Sequence, residues 1–317
     1  MATVEIGAGS AGSGSGTVAG SRAGGRIRAR RPIWMERPSR LGTGAKALVI
    51  AAVFVVVVYP LYVVLATSFS SEADVAKAGG LVAWPAHPTL DAYRTVFNGG
   101  IVTRALLVSF GVTLVGTLLS VAATVGMAYG LSRRDLVGGR FILLIALFTM
   151  LFNPGIIPNF LTVKQLGLLG TYAALVLPSL VSAFNLVVLR SFFMALPGEL
   201  YEAARLDGAG DFRILTRVVL PLSKGVIAVV SLFYAVGYWN AFFNAMLYLD
   251  DNTKWPLALV LRSFVTQGDA ISNGEGIAST QAIQMAVVVV SVVPIVLVYP
   301  FLQRYFTKGV LSGAVKG

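Results

Sequence analysis

The chain has 317 residues, of which 56% are hydrophobic and only 12% are charged, and its mean hydropathy is +0.79. This composition is far from that of soluble domains and indicates an integral membrane protein. Cysteine is absent and His87 is the one histidine, so disulfides, cysteine-based metal sites and a two-histidine metalloprotease site are excluded.

Residues 1–45 are mainly Gly, Ser, Ala and Arg, with little to bury, and are predicted to form a disordered basic tail. A signal peptide is the alternative, because basic residues precede an apolar run and Ala66 and Ser68 are small enough for a cleavage site. The apolar run is longer than the roughly 7–15 residues of a signal peptide. A retained first helix is therefore predicted.

Six uncharged apolar stretches follow one another along the chain. Each has the roughly 20 residues that a helix needs to cross a bilayer, whereas a β-barrel would show short alternating segments. The stretches are Ala47–Ala66, Ala105–Leu131, Phe141–Val163, Leu166–Leu189, Gly225–Leu249 and Ala282–Leu302. The predicted fold class is all-α integral membrane, with six transmembrane helices in residues 46–303 and a C-terminal tail of residues 304–317.

The basic residues predict the orientation of these spans. Most of the 25 Lys and Arg residues lie before span one, between spans two and three, between spans four and five, or after span six. Cytoplasmic segments carry the excess of positive charge, so both termini are predicted to be cytoplasmic. The net charge of +11 is then explained by topology and contact with membrane lipid, without a nucleic acid partner.

The chemistry available to the chain is limited. The six stretches contain no Asp, Glu, Lys, Arg or His, and the sequence has no phosphate-binding Gly-x-x-x-x-Gly-Lys-Ser/Thr loop. An enzyme is not predicted, and any ATP must be hydrolysed by another polypeptide. An ion-coupled secondary transporter or channel is disfavoured because ion relays use ionisable groups within the membrane. It stays open as the alternative function.

Residues 190–224 form the predicted loop between spans four and five. Pro197 can open a short helix, since its missing N–H is not needed in the first turn, and Gly208 is a suitable end. A second short helix is predicted from Asp211, a good N-cap, to Pro221. The loop should therefore consist of two short helices joined by a glycine bend.

This loop carries a spaced pattern of residues, namely Glu202-Ala203-Ala204, Gly208, Val218 and Leu220-Pro221. The pattern resembles the E-A-A loop in permease subunits of binding-protein-dependent ABC importers. The resemblance implies the six-helix fold of type I importer permeases and a helix that docks into a cleft of the ATPase. That coupling role falls on Glu202, Ala203, Ala204 and Gly208. The alternative is an ordinary amphipathic helix, because Glu-Ala-Ala is a common tripeptide.

The resemblance runs from the first span to the C-terminus. The segments Tyr238-Trp239-Asn240 and Trp255-Pro256-Leu257 are similar to the carbohydrate-uptake branch of these permeases, related to the second permease of the maltose importer. It implies a bacterial inner-membrane location and sugar transport by alternating access, with no cofactor of its own. It also implies three partners: a second permease, an ATPase dimer that binds the ATP, and an extracytoplasmic sugar-binding protein.

Span five contains the polar residues that could face a sugar. Gly237, Asn240 and Asn244 recur at i, i+3 and i+7, so a continuous helix would place them on one face. Tyr234 and Tyr238 are four apart on a neighbouring face, beside Trp239. Amides are costly in hydrocarbon and should point into the bundle, where sugar hydroxyls could pair with them. Hydrogen bonding between helices and an interfacial aromatic belt are the alternatives.

Overall fold

The computed structural model describes residues 40–98, 100–133, 135–267 and 280–313. Most of the predicted tail of residues 1–45 therefore lies outside the described residues. The chain divides into two compact units, Met1–Phe54 and Val55–Gly317. The described residues of the first unit begin a long helix, and the second unit contains the rest of that helix and every later element.

Fifteen α-helices make up the described chain. They are α1 (Arg40–Ser68), α2 (Glu72–Lys77), α3 (Asp91–Asn98), α4 (Ile101–Ser132), α5 (Gly139–Leu151), α6 (Ile156–Gln165), α7 (Ala173–Val176), α8 (Ala183–Met194), α9 (Gly198–Leu206), α10 (Asp211–Ile214), α11 (Leu220–Leu222), α12 (Lys224–Trp239), α13 (Phe242–Tyr248), α14 (Leu257–Gln267) and α15 (Gln281–Gly313). In the part of the chain that the structure describes, pairing of extended backbone is limited to one isolated bridge, between Ser70 and Pro88.

Three predicted spans are single helices long and apolar enough to cross a membrane. They lie in α1, α4 and α15, at Gly42–Ser68, Ile101–Ser132 and Gln281–Pro300. Two further apolar pairs of helices would bring the number of spans to five if each bent pair counts as one span. The multi-pass, all-helical prediction is confirmed, but the other predicted spans are interrupted.

The third predicted span is two helices rather than one. Phe141–Val163 is divided between α5 and α6, because Pro154 has no N–H to donate and Gly155 takes a φ of +86°. Each half is shorter than the roughly 20 residues that cross a bilayer.

The fourth predicted span starts later than Leu166. Gly167 and Gly170 have positive φ values, and helix α7 begins only at Ala173. A 3-10 turn, Leu177–Ser179, follows α7. The segment Ala173–Ser179 and helix α8 are bent by 51° relative to each other. Helix α8 continues to Met194, so Arg190 lies inside it rather than at the start of a loop.

The fifth predicted span is broken at Asn240. Helix α12 ends at Trp239, and the Asn240 side-chain amide donates to the backbone oxygen of Val236 at 2.9 Å. Such local side-chain bonds compete with the helical ladder. Helix α13 then restarts at Phe242, so the i, i+3, i+7 spacing predicted for Gly237, Asn240 and Asn244 does not continue through one helix.

Helix α4 is the central packing element of the second unit. It packs along α12 and α8, and at Gly116 the helices lie so close that a Cβ atom there would be 2.9 Å from the ring of Tyr238. Within the described chain, α5 buries none of its residues, and Phe141, Ile145 and Phe148 are exposed apolar side chains there. That face has the composition of a surface covered by lipid or another membrane chain.

Candidate functional site

The predicted glycine bend of loop 190–224 is a well-formed helix end. Helix α9 follows Pro197 and stops at Asp207, after which Gly208 has a φ of +74°. The N–H of Gly208 donates to the Arg205 oxygen at 2.9 Å, and the N–H of Ala209 donates to the Ala204 oxygen at 2.9 Å. These two bonds form a Schellman motif, which requires the left-handed conformation that glycine adopts without strain.

Helix α9 has one exposed face and one packed face. Glu202, Ala203 and Gly208 are exposed, and Leu206 is 89% exposed. Ala204 is half-buried and, like Tyr201, packs against the main core cluster. The predicted coupling residues are thus brought together on one short element, with three of them open to a partner and Ala204 turned inward.

The second helical segment of the loop continues directly into α12. Gly210, not Asp211, occupies the N-cap position of α10. A π-helical turn, Leu215–Val219, links α10 to α11. The segment Asp211–Leu222 then meets α12 at an angle of 86°. The end of this segment therefore lies directly before the first turn of α12.

Arg133, the residue after α4, connects three elements of this region. Its guanidinium donates to Asp211 Oδ1 in α10 and to the hydroxyl of Tyr129 at 2.9 Å. It also lies over the rings of Tyr129 and Tyr201, 4.9 Å and 5.6 Å from their centroids. The Arg133 side chain is only 16% exposed, and such partly desolvated cation–π contacts stabilise more than exposed ones.

Two hydrogen bonds that involve α8 add to the contacts between α4, α9 and α10. Arg190 Nε donates to the backbone oxygen of Leu131, near the C-terminal end of α4, at 2.9 Å. Tyr201 Oη in α9 donates to the backbone oxygen of Phe193 at 3.2 Å. Burial raises the pKa of Tyr201, and Tyr129 acts in the same direction while Arg133 opposes it. The Tyr201 hydroxyl therefore keeps its proton and its role as a donor at neutral pH.

A cavity of about 410 Å³ lies among α7, α8, α12 and α13. Its walls are formed by Leu175, Ser179, Ser182, Phe184, Asn185, Phe233, Tyr234, Gly237, Tyr238, Ala241 and Asn244. Small-molecule sites have volumes of about 300–1,000 Å³. Of the residues predicted to line a pathway, Tyr234, Tyr238 and Asn244 meet at this cavity, together with Gly237.

The hydroxyl groups of the two cavity tyrosines are bound to other parts of the protein. Tyr234 Oη lies 2.7 Å from Thr124 Oγ1 and accepts the N–H of Ser182 at 2.8 Å. Tyr238 Oη lies 2.7 Å from Ser120 Oγ and donates to the Val176 oxygen at 3.3 Å. These hydroxyls fasten α12 to α4 and α7.

The other two predicted pathway residues do not line the cavity. Trp239 is buried, its Nε1 donates to the Ser291 oxygen at 3.2 Å, and its ring packs edge-on against Phe110. Asn240 is exposed, with its amide bound to Val236. The break after α12 accounts for the position of Asn240, whereas Trp239 is still inside α12 and packs against α15. The role predicted for these two residues in a pathway remains a prediction.

Asn185 lines the same cavity and had little signal in the sequence. The residue is only 4% exposed, and its Oδ1 has no hydrogen-bond partner among the described residues. A buried acceptor without a partner costs about 1–3 kcal/mol. Sequence spacing could not single it out, because it is one asparagine in the apolar helix α8 and its neighbours in the cavity come from other helices.

The chain is similar to known transport proteins over most of its length. A model of the family described as binding-protein-dependent transport system inner membrane component matches residues 116–312. The polygalacturonan/rhamnogalacturonan transport system permease protein YtcP of Bacillus subtilis (strain 168) is 47% identical over 82% of this chain and 93% of its own. Protein LplC of the same organism is 43% identical over 85% of this chain and 93% of its own.

A solved structure has the same fold. It is a chain in the crystal structure of a bacterial ABC transporter involved in the import of the acidic polysaccharide alginate. The superposition has a TM-score of 0.79 with 30% sequence identity, and it covers 86% of this chain and 99% of the other.

Proposed function

Because this chain belongs to the family of binding-protein-dependent transport system inner membrane components, we propose that the cargo it moves is a saccharide. As a family member the chain is a membrane-embedded permease subunit of an ABC importer and not an enzyme. The observation that carries the sugar proposal is the cavity near α12, whose walls combine the amides of Asn185 and Asn244 with aromatic rings. Sugars present hydroxyl groups and apolar C–H faces to such walls.

The names of similar proteins support the same cargo class. YtcP is named for polygalacturonan and rhamnogalacturonan transport, and the structural neighbour for alginate import. The family match argues against an ion-coupled transporter, the alternative that the sequence leaves open, since that class gives no reason for a family match extending over loop 190–224.

Transport is proposed to follow alternating access between two permeases. A second permease would complete the pathway, a sugar-binding protein would deliver cargo from outside, and an ATPase dimer would bind the exposed face of α9. The exposed residues Glu202, Ala203 and Leu206 support that docking face. Closure of the ATPase would then move the loop against α4 through Arg133 and against α12 through the 86° bend.

The boundaries proposed for the chain follow the sequence. The permease domain would occupy residues 46–303 and lie in the bacterial inner membrane. Residues 1–45 and 304–317 would be tails in the cytoplasm. The basic residues Arg133, Arg140, Arg205 and Arg213 on the proposed cytoplasmic side support this orientation.

Reconstitution in lipid vesicles tests the proposal. The complete importer, with both permeases, the ATPase and the binding protein, should accumulate a labelled oligosaccharide only when ATP is present on the ATPase side. This chain reconstituted alone should accumulate none, with or without an ion gradient. Uptake by the isolated chain that follows an ion gradient would contradict the proposal and support a secondary transporter.

A further inference from the structure

The polar side chains of the cavity wall are two amides, the hydroxyls of Ser179 and Ser182, and two tyrosine hydroxyls. Both tyrosine hydroxyls are held by Thr124, Ser120 and backbone groups, as their short contacts show. Asn185 remains, with a buried Oδ1 that has no partner in the described chain. Asn244 contributes a second, half-buried amide from α13. An unpaired buried acceptor at a cavity wall is a place where a ligand donor can bind.

Most of the remaining wall residues are aromatic, aliphatic or small. The rings of Phe184 and Phe233 have centroids 6.0 Å apart and planes tilted by 56°, and the ring of Tyr234 adds a third apolar surface. Apolar walls with a few well-placed polar groups are the common composition of small-molecule sites. The C–H face of a sugar ring fits such a surface, while its hydroxyls reach the amides.

The lack of charged side chains among the described wall residues favours uncharged sugars over acidic ones. None of the lining residues that the structure describes is Asp, Glu, Lys, Arg or His. A carboxylate in this cavity would lose its hydration without meeting a cation, which is strongly unfavourable. A ring that carries only hydroxyl groups has no such cost.

We propose that this cavity is a subsite for one uncharged, hydroxylated sugar ring, bound by the amides of Asn185 and Asn244. This inference rests on the proposed function and narrows it. Rotation about the last torsion of Asn185, which is broad for this side chain, lets Oδ1 accept a hydrogen bond from a ring hydroxyl. An acidic sugar unit, as found in alginate or polygalacturonan, is disfavoured at this position.

The test uses the complete importer in lipid vesicles with four labelled probes, namely maltotriose, xylotriose, arabinotriose and trigalacturonate. The wild type should take up at least one neutral probe, and Asn185→Leu should lower that uptake by about tenfold through loss of one hydrogen bond in a confined site. Asn244→Ala should lower it similarly. Asn252→Ala is the matched control and should not change uptake, since Asn252 is exposed and lies outside the cavity.

A stability measurement separates binding from folding. Leucine is close to asparagine in size and removes an unpaired polar atom, so Asn185→Leu should unfold at the wild-type temperature or above it. Normal stability with lost uptake supports the subsite. Wild-type uptake of the neutral probe by Asn185→Leu overturns it, as does a wild type that carries trigalacturonate and no neutral probe. A wild type that carries no saccharide at all contradicts the proposed function itself.

Discussion

At the scale of single residues, the guanidinium of Arg133 connects the apolar helix α4 with loop 190–224. It binds α4 through Tyr129, α9 through the ring of Tyr201, and α10 through Asp211. Arginine is suited to this position because its planar group donates several hydrogen bonds and stacks on aromatic rings simultaneously, which lysine does not. We infer that Arg133 is a positioning residue for loop 190–224.

Substitution of Arg133 by alanine should uncouple the importer. Hydrogen bonds to charged groups contribute about 1.5–3 kcal/mol, so uptake per ATP hydrolysed should fall by about tenfold. The basal ATPase rate should persist, because the ATPase active site is in another subunit. The measurement is the ratio of sugar accumulated to phosphate released in vesicles.

Two further variants bear on this prediction. Arg133→Lys keeps the charge but loses stacking, and should recover only part of the coupling ratio. Arg140→Ala removes an exposed arginine at the start of α5 and is the matched control. An unchanged ratio in Arg133→Ala, or an equal loss in Arg140→Ala, would show that Arg133 has no particular role.

At the scale of helices, uninterrupted apolar runs were predictable and their breaks were not. The runs in α1, α4 and α15 predict long helices because their composition leaves no other conformation stable in lipid. The breaks at Pro154 and Asn240 depend on φ values and side-chain bonds that hydropathy does not contain. Proline is also tolerated inside membrane helices, as Pro294 is in α15, so its presence alone does not predict a break.

The two parts of the candidate site, loop 190–224 and the cavity, also differ in how far the sequence predicts them. The predicted coupling residues occupy one continuous segment, and their spacing could be recognised along the chain. The cavity is assembled from contacts such as Tyr238 with Ser120 and Tyr234 with Thr124, whose partners are 118 and 110 residues apart. The helical spacing of polar residues along span five could indicate a polar face, but it could not indicate which hydroxyls were already bound.

The turn that ends α9 gives a prediction at this scale. Alanine at Gly208 must take a left-handed conformation at a cost of about 1–2 kcal/mol. Gly208→Ala should therefore loosen the turn and lower both uptake and the amount of ATPase that co-purifies with the permease. Gly210→Ala is the control, since Gly210 has a φ of −71° and open space around its Cα. Equal effects of the two substitutions would contradict a specific role for the turn.

At the scale of the whole molecule, orientation in the membrane decides which surface meets the ATPase. Helix α4 has 32 residues and a length of about 48 Å, more than the roughly 30 Å of hydrocarbon. Residues before and after α4 therefore lie on opposite sides of the bilayer. The positive charge near its C-terminal end, at Arg133 and Arg140, supports the proposal that this end faces the cytoplasm.

Labelling of introduced cysteines tests this orientation, because the chain has none of its own. Trp84, before α4, is 80% exposed, and Val137, after it, is 95% exposed. In right-side-out vesicles a membrane-impermeant maleimide should label Trp84→Cys and leave Val137→Cys unlabelled, whereas both should react after detergent is added. The reverse pattern in intact vesicles would place loop 190–224 outside the cell, where no ATPase could bind it.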